Sequence, residues 1–164
     1  MLIDAIVEIP MGTRNKYEVD HNTGKIRLNR VLYSSVGYPC EYGYIENTLA
    51  DDGDPLDILV LSSTETFPGC IIESRVLGYL DIVDNGDNDE KVISVVNSDP
   101  RWNHIQKLED LPEHTIKEIK EFFKTYKHLQ DIQVEIGELH GLEETKVLIE
   151  ECKNRFEDSK NNVK

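Results

Sequence analysis

Four carboxylates lie within seven residues of the chain, from Asp51 to Asp57, directly before the apolar run Ile58 to Leu61. Like charges repel one another, so such a cluster is unfavourable at the entrance to a strand unless positive charge lies among the acids. Carboxylate oxygens are the ligands that hard divalent cations prefer. The cluster therefore predicts a cation site.

The residues between these acids favour a bend. In an extended chain Asp52 and Asp54 share one face, whereas Asp57 points to the other. Gly53 permits unusual backbone dihedrals, and Pro55 holds Asp54 extended while lacking an N–H donor. A turn here can gather three carboxylates around one point. An EF-hand calcium loop is excluded, because Asp57 stands where that loop requires glycine.

A second acidic segment, Asp84 to Glu90, separates an apolar run that ends at Val83 from one that begins at Val92. By itself this segment is typical of a solvated hairpin loop. Carboxylates from two loops at strand ends are, however, the usual ligands of a two-metal site, with ions roughly 4 Å apart and an activated water between them. Together the two acidic segments favour such a site.

A metal site that handles phosphate also needs fixed cations and hydroxyl donors. Taken alone, each lysine or arginine is typical of a surface residue whose aliphatic stem is partly buried, and each tyrosine is typical of a core residue. Only their combination with the acidic segments indicates phosphate chemistry. The candidates are Lys16, Arg30, Tyr38, Tyr42, Lys91, Tyr126 and Lys127, with Glu18 beside the first of them.

Other catalytic arrangements lack support in the sequence. The five histidines form no H-E-x-x-H pair, and neither a G-x-S-x-G elbow nor a phosphate-binding P-loop occurs. Cys40 has no basic partner nearby in sequence, so we expect a buried thiol there. Phosphate chemistry at the carboxylates is the hypothesis that remains.

The elements that must position these residues are strands first and helices later. Pro112 suits the first turn of a helix, and Ile116, Ile119 and Phe123 follow it at helical spacing. A further strand is expected around Val134, and a terminal helix around Cys152. This order predicts an α+β fold. The earlier strands are expected at Ile3 to Ile9, Tyr17 to Val19, Lys25 to Leu28, Asp57 to Leu61, Ile71 to Leu80 and Val92 to Val96.

Length and charge limit the possible functions. With 164 residues and a net charge of −14, the chain is expected to form one domain, residues 1–157, followed by a polar tail, residues 158–164. The negative charge disfavours nucleic acids and anionic membrane surfaces as partners. Three widely spaced cysteines, with neither a signal peptide nor a transmembrane stretch, indicate a cytoplasmic protein.

The run Asp52-Gly53-Asp54-Pro55-Leu56-Asp57, together with Tyr38-Pro39-Cys40-Glu41-Tyr42 upstream, resembles the signature of the soluble family I inorganic pyrophosphatases. The resemblance extends from about Ile6 to Lys127. It implies a five-stranded OB-like antiparallel β-barrel with packed helices. It also implies Mg²⁺-dependent hydrolysis of pyrophosphate to two orthophosphates by direct attack of a metal-activated water, with Mn²⁺ as a possible alternative ion, and a homohexamer.

The resemblance also assigns roles by position. The implied general base is Asp54. The implied metal ligands are Glu8, Asp52, Asp57, Asp84 and Asp89, with Asp57 bridging two ions. The implied phosphate contacts are Lys16, Arg30, Tyr42, Lys91, Tyr126 and Lys127, supported by Glu18 and Tyr38. Asn85 departs from relatives that carry an acid at that position.

Two other functions remain open at this point. The carboxylate clusters alone equally suit a different two-metal phosphohydrolase that acts on nucleotides or phosphate esters. A cluster for stacking bases is not evident, since Trp102 is the only tryptophan. A non-enzymatic OB-like binding module is the second alternative, although it leaves the ordered lysine, arginine and tyrosine set without a purpose.

Overall fold

The computed structural model describes residues 1–163. Within them, eight β-strands precede the first of two α-helices, and a ninth strand lies between the two helices. The strands are β1 (Leu2–Ile9), β2 (Asn15–Val19), β3 (Ile26–Val31), β4 (Glu41–Tyr44), β5 (Asp57–Leu61), β6 (Ile71–Asp84), β7 (Asp87–Asn88), β8 (Lys91–Val96) and β9 (Val134–His140). The helices are α1 (Glu113–Thr125) and α2 (Leu142–Asn161). The strands-first order confirms the predicted α+β class.

Five of these strands close into a ring. Strand β1 pairs with β4, β4 with β5, β5 with β8, β8 with β6, and β6 returns to β1. The predicted five-stranded OB-like barrel is therefore confirmed, but one pairing differs from the antiparallel expectation. Strands β5 and β8 are parallel. In sequence, the long strand β6 lies between β5 and β8. Because β6 runs antiparallel to β8, the chain enters β8 in the same direction as β5.

Strand β5 is buried on both faces, which makes it a rigid support for the acidic residues before it. Leu59 and Leu61 belong to the apolar cluster that contains Phe123 of α1. Ile58 and Val60 belong to a second cluster, which contains Ile149 of α2. Because side chains alternate along a strand, the two helices cover its opposite faces.

Strand β4 was missed by the sequence pattern because its residues, Glu41-Tyr42-Gly43-Tyr44, show no apolar alternation. Gly43 is required there, since a Cβ at this position would collide with the carbonyl oxygen of Ile6 on β1. The close approach of the two strand backbones therefore requires glycine at position 43. Tyr42, on the same strand, is positioned by this packing.

The chain also differs from expectation near its C-terminus. Helix α2 continues to Asn161, past the predicted boundary at Glu157, so residues 158–161 are helical rather than a frayed tail. Residue 164, the last of the predicted tail, lies outside the described residues. Pro112 is the N-cap of α1 rather than part of its first turn. In the described part of the chain, no helix has both the length and the apolar character needed to cross a membrane.

Candidate active site

One cleft of about 460 Å³ collects the predicted site residues from the barrel, from the separate two-stranded sheet that β2 forms with β3, and from the end of α1. All of them except Arg30 line it. They are Glu8, Lys16, Glu18, Tyr38, Tyr42, Asp52, Asp54, Asp57, Asp84, Asp89, Lys91, Tyr126 and Lys127. Residues that are far apart in sequence are thus brought together.

The ends of strands position most of the charged groups. Asp57 is the first residue of β5, Lys91 the first of β8, and Asp84 the last of β6. Since β5 and β8 are parallel neighbours, Asp57 and Lys91 lie side by side in register. Tyr126 and Lys127 follow the last turn of α1. Rigid elements therefore hold the site more firmly than loops alone would.

Lys91 lies among three polar groups of the cleft. Its Nζ is 2.6 Å from Asp57 Oδ2, 2.9 Å from both carboxylate oxygens of Asp89, and 2.8 Å from the hydroxyl of Tyr42. That hydroxyl in turn donates to Asp57 Oδ2 at 2.7 Å. Burial opposes the charge of Lys91, but the neighbouring Asp57 and Asp89 outweigh it and raise the pKa of Lys91 well above its ordinary value. The lysine is thus a cation even though only 2% of its surface is exposed.

A similar arrangement surrounds Asp84. Lys127 Nζ lies 2.5 Å from Asp84 Oδ2, and the hydroxyl of Tyr126 donates to the same oxygen at 3.2 Å. Burial raises the pKa of Tyr126, so the phenol keeps its proton and remains a donor. Nearer the rim, Lys16 pairs with Glu18 at 3.0 Å. The cleft therefore offers ammonium and hydroxyl donors next to its carboxylates.

Several carboxylates of the cleft are poorly solvated. Burial raises the pKa of Glu8 to about 7, although the backbone N–H of Val19 donates to it at 2.8 Å. Burial also raises the pKa of Asp89, and partial desolvation at the wall of the cleft raises the pKa of Asp52, whose side chain is otherwise exposed. Negative charge at these groups is costly unless a cation lies nearby.

The donor set of the cleft fits a hard divalent cation, because its acidic groups are all oxygen donors. In residues 1–163, however, no three acidic, histidine or cysteine side chains already converge closely enough to hold an ion. Asp57 and Asp89 instead share the ammonium of Lys91. A cation that bound the carboxylate oxygens facing Lys91 would therefore share them with, or replace, its ammonium.

The bend predicted in the first acidic segment is present. Gly53 has a φ of 91°, a backbone conformation that residues with a side chain rarely adopt. Its N–H donates to the carbonyl of Ala50 at 3.1 Å, and the N–H of Asp54 donates to Asp52 Oδ1 at 3.0 Å. The turn directs both Asp52 and Asp54 to the cleft.

The second acidic segment is a tight hairpin. Asp84 of β6 pairs with Asp87 of β7, which leaves Asn85 and Gly86 as a two-residue loop. Both have positive φ, 52° and 88°, as a type I′ turn requires. Asparagine tolerates positive φ better than most residues, which explains locally why the chain has asparagine at position 85. Asn85 also lines the cleft.

Arg30 does not line the cleft. It lies on β3 opposite Lys16, and its Nη1 donates to Asn29 at 2.9 Å. Its Nε is buried and, in the described part of the chain, has no hydrogen-bond partner. Burial raises the pKa of Tyr38, and the charge of Lys91 and then of Arg30 opposes this rise, so Arg30 is close enough to influence the site.

Sequence reasoning missed His21 as a residue of the cleft. As candidates for chemistry, the histidines were considered only as ligands of a zinc pair, but the ring of His21 packs edge-on against Tyr44 at 5.2 Å between centroids and lines the cleft. Tyr44 was missed together with strand β4. Nothing in the local sequence around His21 distinguishes it from an ordinary turn residue.

Residues 5–157 match the family model described as Inorganic pyrophosphatase. The chain is 52% identical over 159 residues to the inorganic pyrophosphatase of Geobacillus stearothermophilus, covering 97% of this chain and 96% of that protein. The crystal structure of inorganic pyrophosphatase from Thermus thermophilus is similar, with a TM-score of 0.92, 41% identity and coverage of 95% and 91%. The inorganic pyrophosphatase of Helicobacter pylori is similar too, with a TM-score of 0.92, 33% identity and coverage of 95% and 94%.

Proposed function

The chain belongs to the inorganic pyrophosphatase family, and we propose that it hydrolyses inorganic pyrophosphate to two orthophosphates in a Mg²⁺-dependent reaction. One observation carries this proposal: a single cleft contains both a set of carboxylates and a set of ammonium and phenol donors. The first set suits divalent cations, and the second suits phosphate oxygens. A phosphate anhydride that carries several negative charges needs both.

We propose that the metal ions are held by Glu8, Asp52, Asp57, Asp84 and Asp89, with Mn²⁺ as an alternative to Mg²⁺. Support comes from the oxygen-only donor set and from the burial that disfavours unpaired charge at Glu8, Asp52 and Asp89. These residues would hold the ions, which would supply positive charge to the phosphate oxygens and lower the pKa of the attacking water.

Asp54 is the proposed general base, which accepts a proton from the attacking water. It is an exposed residue of the bend, two positions after Asp52, and lines the cleft. A carboxylate in this position needs only to orient the water and to take its proton as the phosphorus–oxygen bond forms. No covalent enzyme intermediate is required for this reaction.

The proposed phosphate contacts are donors that the fold already holds in place. The chain carries a net charge of −14, so it would repel a polyanion without local positive charge. Lys91 and Lys127 keep their positions through Asp57, Asp89 and Asp84, and the same ammonium groups can donate to phosphate oxygens. The complete proposed set is Lys16, Arg30, Tyr42, Lys91, Tyr126 and Lys127, with Glu18 and Tyr38 in support.

Phosphate release measured with and without a chelator tests this function. With Mg²⁺, the protein should release orthophosphate from pyrophosphate much faster than from ATP or p-nitrophenyl phosphate. Excess EDTA should abolish the release, and Mg²⁺ added back should restore it. Equal rates on nucleotides or phosphate esters would instead support the broader phosphohydrolase hypothesis, and absence of any release would support a binding module.

We further propose that the protein is a cytoplasmic homohexamer and that residues 1–157, together with the last turn of helix α2, act as one domain. The family match over residues 5–157 supports the domain boundaries. Three free cysteines, of which Cys40 and Cys152 are buried, suit a reducing compartment. The hexamer is inferred only from the resemblance to the pyrophosphatase family. Light scattering tests it, since a hexamer has six times the mass of the 18.8 kDa chain.

A further inference from the structure

The acidic bend lies in a loop between β4 and β5 whose base is firmly closed. The N–H of Ile45 donates to the carbonyl of Leu56 at 2.9 Å. The hydroxyl of Thr48 accepts from the N–H of Leu56 at 2.9 Å and donates to the carbonyl of Ile45 at 2.5 Å. Thr48 and Leu56 are buried, so packing reinforces these bonds. The tip of the loop, residues 51–54, is exposed instead.

Helix α2 holds the flank of this tip. The N–H of Leu49 donates to the carbonyl of Cys152 at 2.9 Å. The guanidinium of Arg155 makes two further contacts: Nη1 donates to the carbonyl of Leu49 at 2.7 Å, and Nη2 lies 3.1 Å from Asp51 Oδ1. Arg155 therefore binds both the backbone and a side chain of the residues that directly precede Asp52.

Charge repulsion explains why such a contact matters. Asp51, Asp52 and Asp54 lie within four residues and repel one another. The ion pair between Arg155 and Asp51 is 37% and 57% exposed, so it stabilises the fold little by itself. The planar guanidinium nevertheless holds the two acceptors through two nitrogens in a fixed relative geometry, which a flexible ammonium does not reproduce. Its effect is on the geometry of the turn more than on overall stability.

Arg155 does not touch the site where chemistry is proposed. It lines a different cleft, of about 450 Å³, which Asp51 and Cys152 also line. Asp52 and Asp54 line the main cleft. The loop tip thus separates the two clefts, with Asp52 and Asp54 on one side and Asp51 with Arg155 on the other.

We propose that Arg155 is a positioning residue, which holds the acidic turn so that Asp52 and Asp54 are placed for Mg²⁺ binding and hydrolysis. This inference rests on the proposed function. Without Arg155, Asp51 is unpaired and the carbonyl of Leu49 loses its partner, so the turn can open under its own repulsion. Binding of Mg²⁺ must then close it again, which weakens the apparent affinity.

The test compares Arg155→Met and Arg155→Lys with Lys153→Met, which removes the same charge two residues earlier on α2. Calorimetry measures Mg²⁺ binding without substrate, the hydrolysis rate is followed against Mg²⁺ concentration, and thermal unfolding reports stability. Arg155→Met should weaken Mg²⁺ binding and raise the Mg²⁺ concentration for half-maximal rate, each by about tenfold. Its rate at saturating Mg²⁺ should stay within about twofold of wild type, because the turn can still be closed.

Arg155→Lys should show a smaller weakening, since it keeps the positive charge but loses the planar pair of nitrogens that contacts Leu49 and Asp51. Arg155→Lys can still be compared with wild type if Arg155→Met does not fold. Lys153→Met should match wild type in all three measurements. Unchanged Mg²⁺ binding in both Arg155 variants, with or without a lower unfolding temperature, would overturn the proposal. If wild type binds Mg²⁺ but does not hydrolyse pyrophosphate, the proposed function fails, whereas weakened Mg²⁺ binding in the Arg155 variants would still support the positioning role.

Discussion

The ammonium group of Lys91 lies 2.6 Å from Oδ2 of Asp57, at paired positions of the parallel strands β5 and β8. A nearly fully buried lysine thus balances the carboxylate that is proposed to bridge two metal ions. Asp89 shares the same ammonium at 2.9 Å. The cleft is therefore partly neutralised by the protein itself, and divalent cations must compete with Lys91 for these oxygens.

This relationship predicts a large effect of Lys91→Met. The variant leaves Asp57 and Asp89 without their partner, so it should lower the free energy of unfolding of the metal-free protein by about 3–5 kcal/mol. Mg²⁺ should restore part of that loss, because it provides an alternative partner for the same carboxylates. Hydrolysis should fall by about 10²-fold, since a phosphate donor is lost. Thermal unfolding with and without Mg²⁺, together with phosphate release, checks these results.

Lys16→Met is the matched control for Lys91→Met. Lys16 is paired with Glu18, but both side chains are partly exposed, so stability should change by less than about 1 kcal/mol. Equal destabilisation by the two substitutions would contradict the view that Lys91 is held in place by buried charge.

Asp54→Asn should reduce turnover by about 10²-fold or more, because an amide cannot accept the proton of the attacking water. The backbone N–H of Asp54, which donates to Asp52, is retained, so the turn should persist. Steady-state phosphate release at saturating Mg²⁺ measures the effect, and Asp4→Asn, at an exposed position of β1, is the control. Wild-type turnover in Asp54→Asn would remove its assigned role.

His140 should make stability depend on pH. Its Nε2 lies 2.6 Å from Asp81 Oδ2 and its Nδ1 lies 3.1 Å from Glu144 Oε2. Partial burial opposes protonation, but the hydrogen bonds and charges of Asp81 and Glu144 outweigh it and raise the pKa of His140 above its ordinary value. Because the folded-state pKa is higher than the unfolded one, this stabilisation is fully present below the unfolded value and is lost as pH rises through the folded value.

His140→Gln should therefore unfold at a lower temperature than wild type at about pH 6, and the difference should shrink towards about pH 9. His128→Gln, at an exposed position, is the control. Thermal unfolding across this pH range is the measurement. A difference between wild type and His140→Gln that does not vary with pH would show that packing on Tyr79, rather than charge, gives His140 its effect.

The sequence predicted the parts of this molecule that depend on local pattern. Strand β5 was placed at its observed bounds, and the bend at Gly53 followed from glycine and proline chemistry. Strand β4 was not found, because close approach of Gly43 to β1, rather than apolar alternation, determines it. The parallel pairing of β5 with β8 was not found either, since it depends on contacts between distant segments.

The candidate site shows the same limit. The residue types of the acidic segments indicated metal and phosphate chemistry, and motif resemblance connected them with the lysines and tyrosines. Neither indicated that Lys91 occupies the space between Asp57 and Asp89, because that depends on the register of two strands. The contact of Arg155 with Leu49 and Asp51 was also hidden, since these residues meet only when α2 folds back on the loop.

The central claim is that carboxylates from separate strand ends together bind the Mg²⁺ on which pyrophosphate hydrolysis depends. The most direct test is the rate of phosphate release as a function of Mg²⁺ concentration for wild type and for Asp57→Ala. Because Asp57 is the proposed bridge between two ions, its loss should move the curve to about tenfold or higher Mg²⁺ concentrations. Superimposed curves for the two proteins, or hydrolysis that persists in excess chelator, would contradict the account.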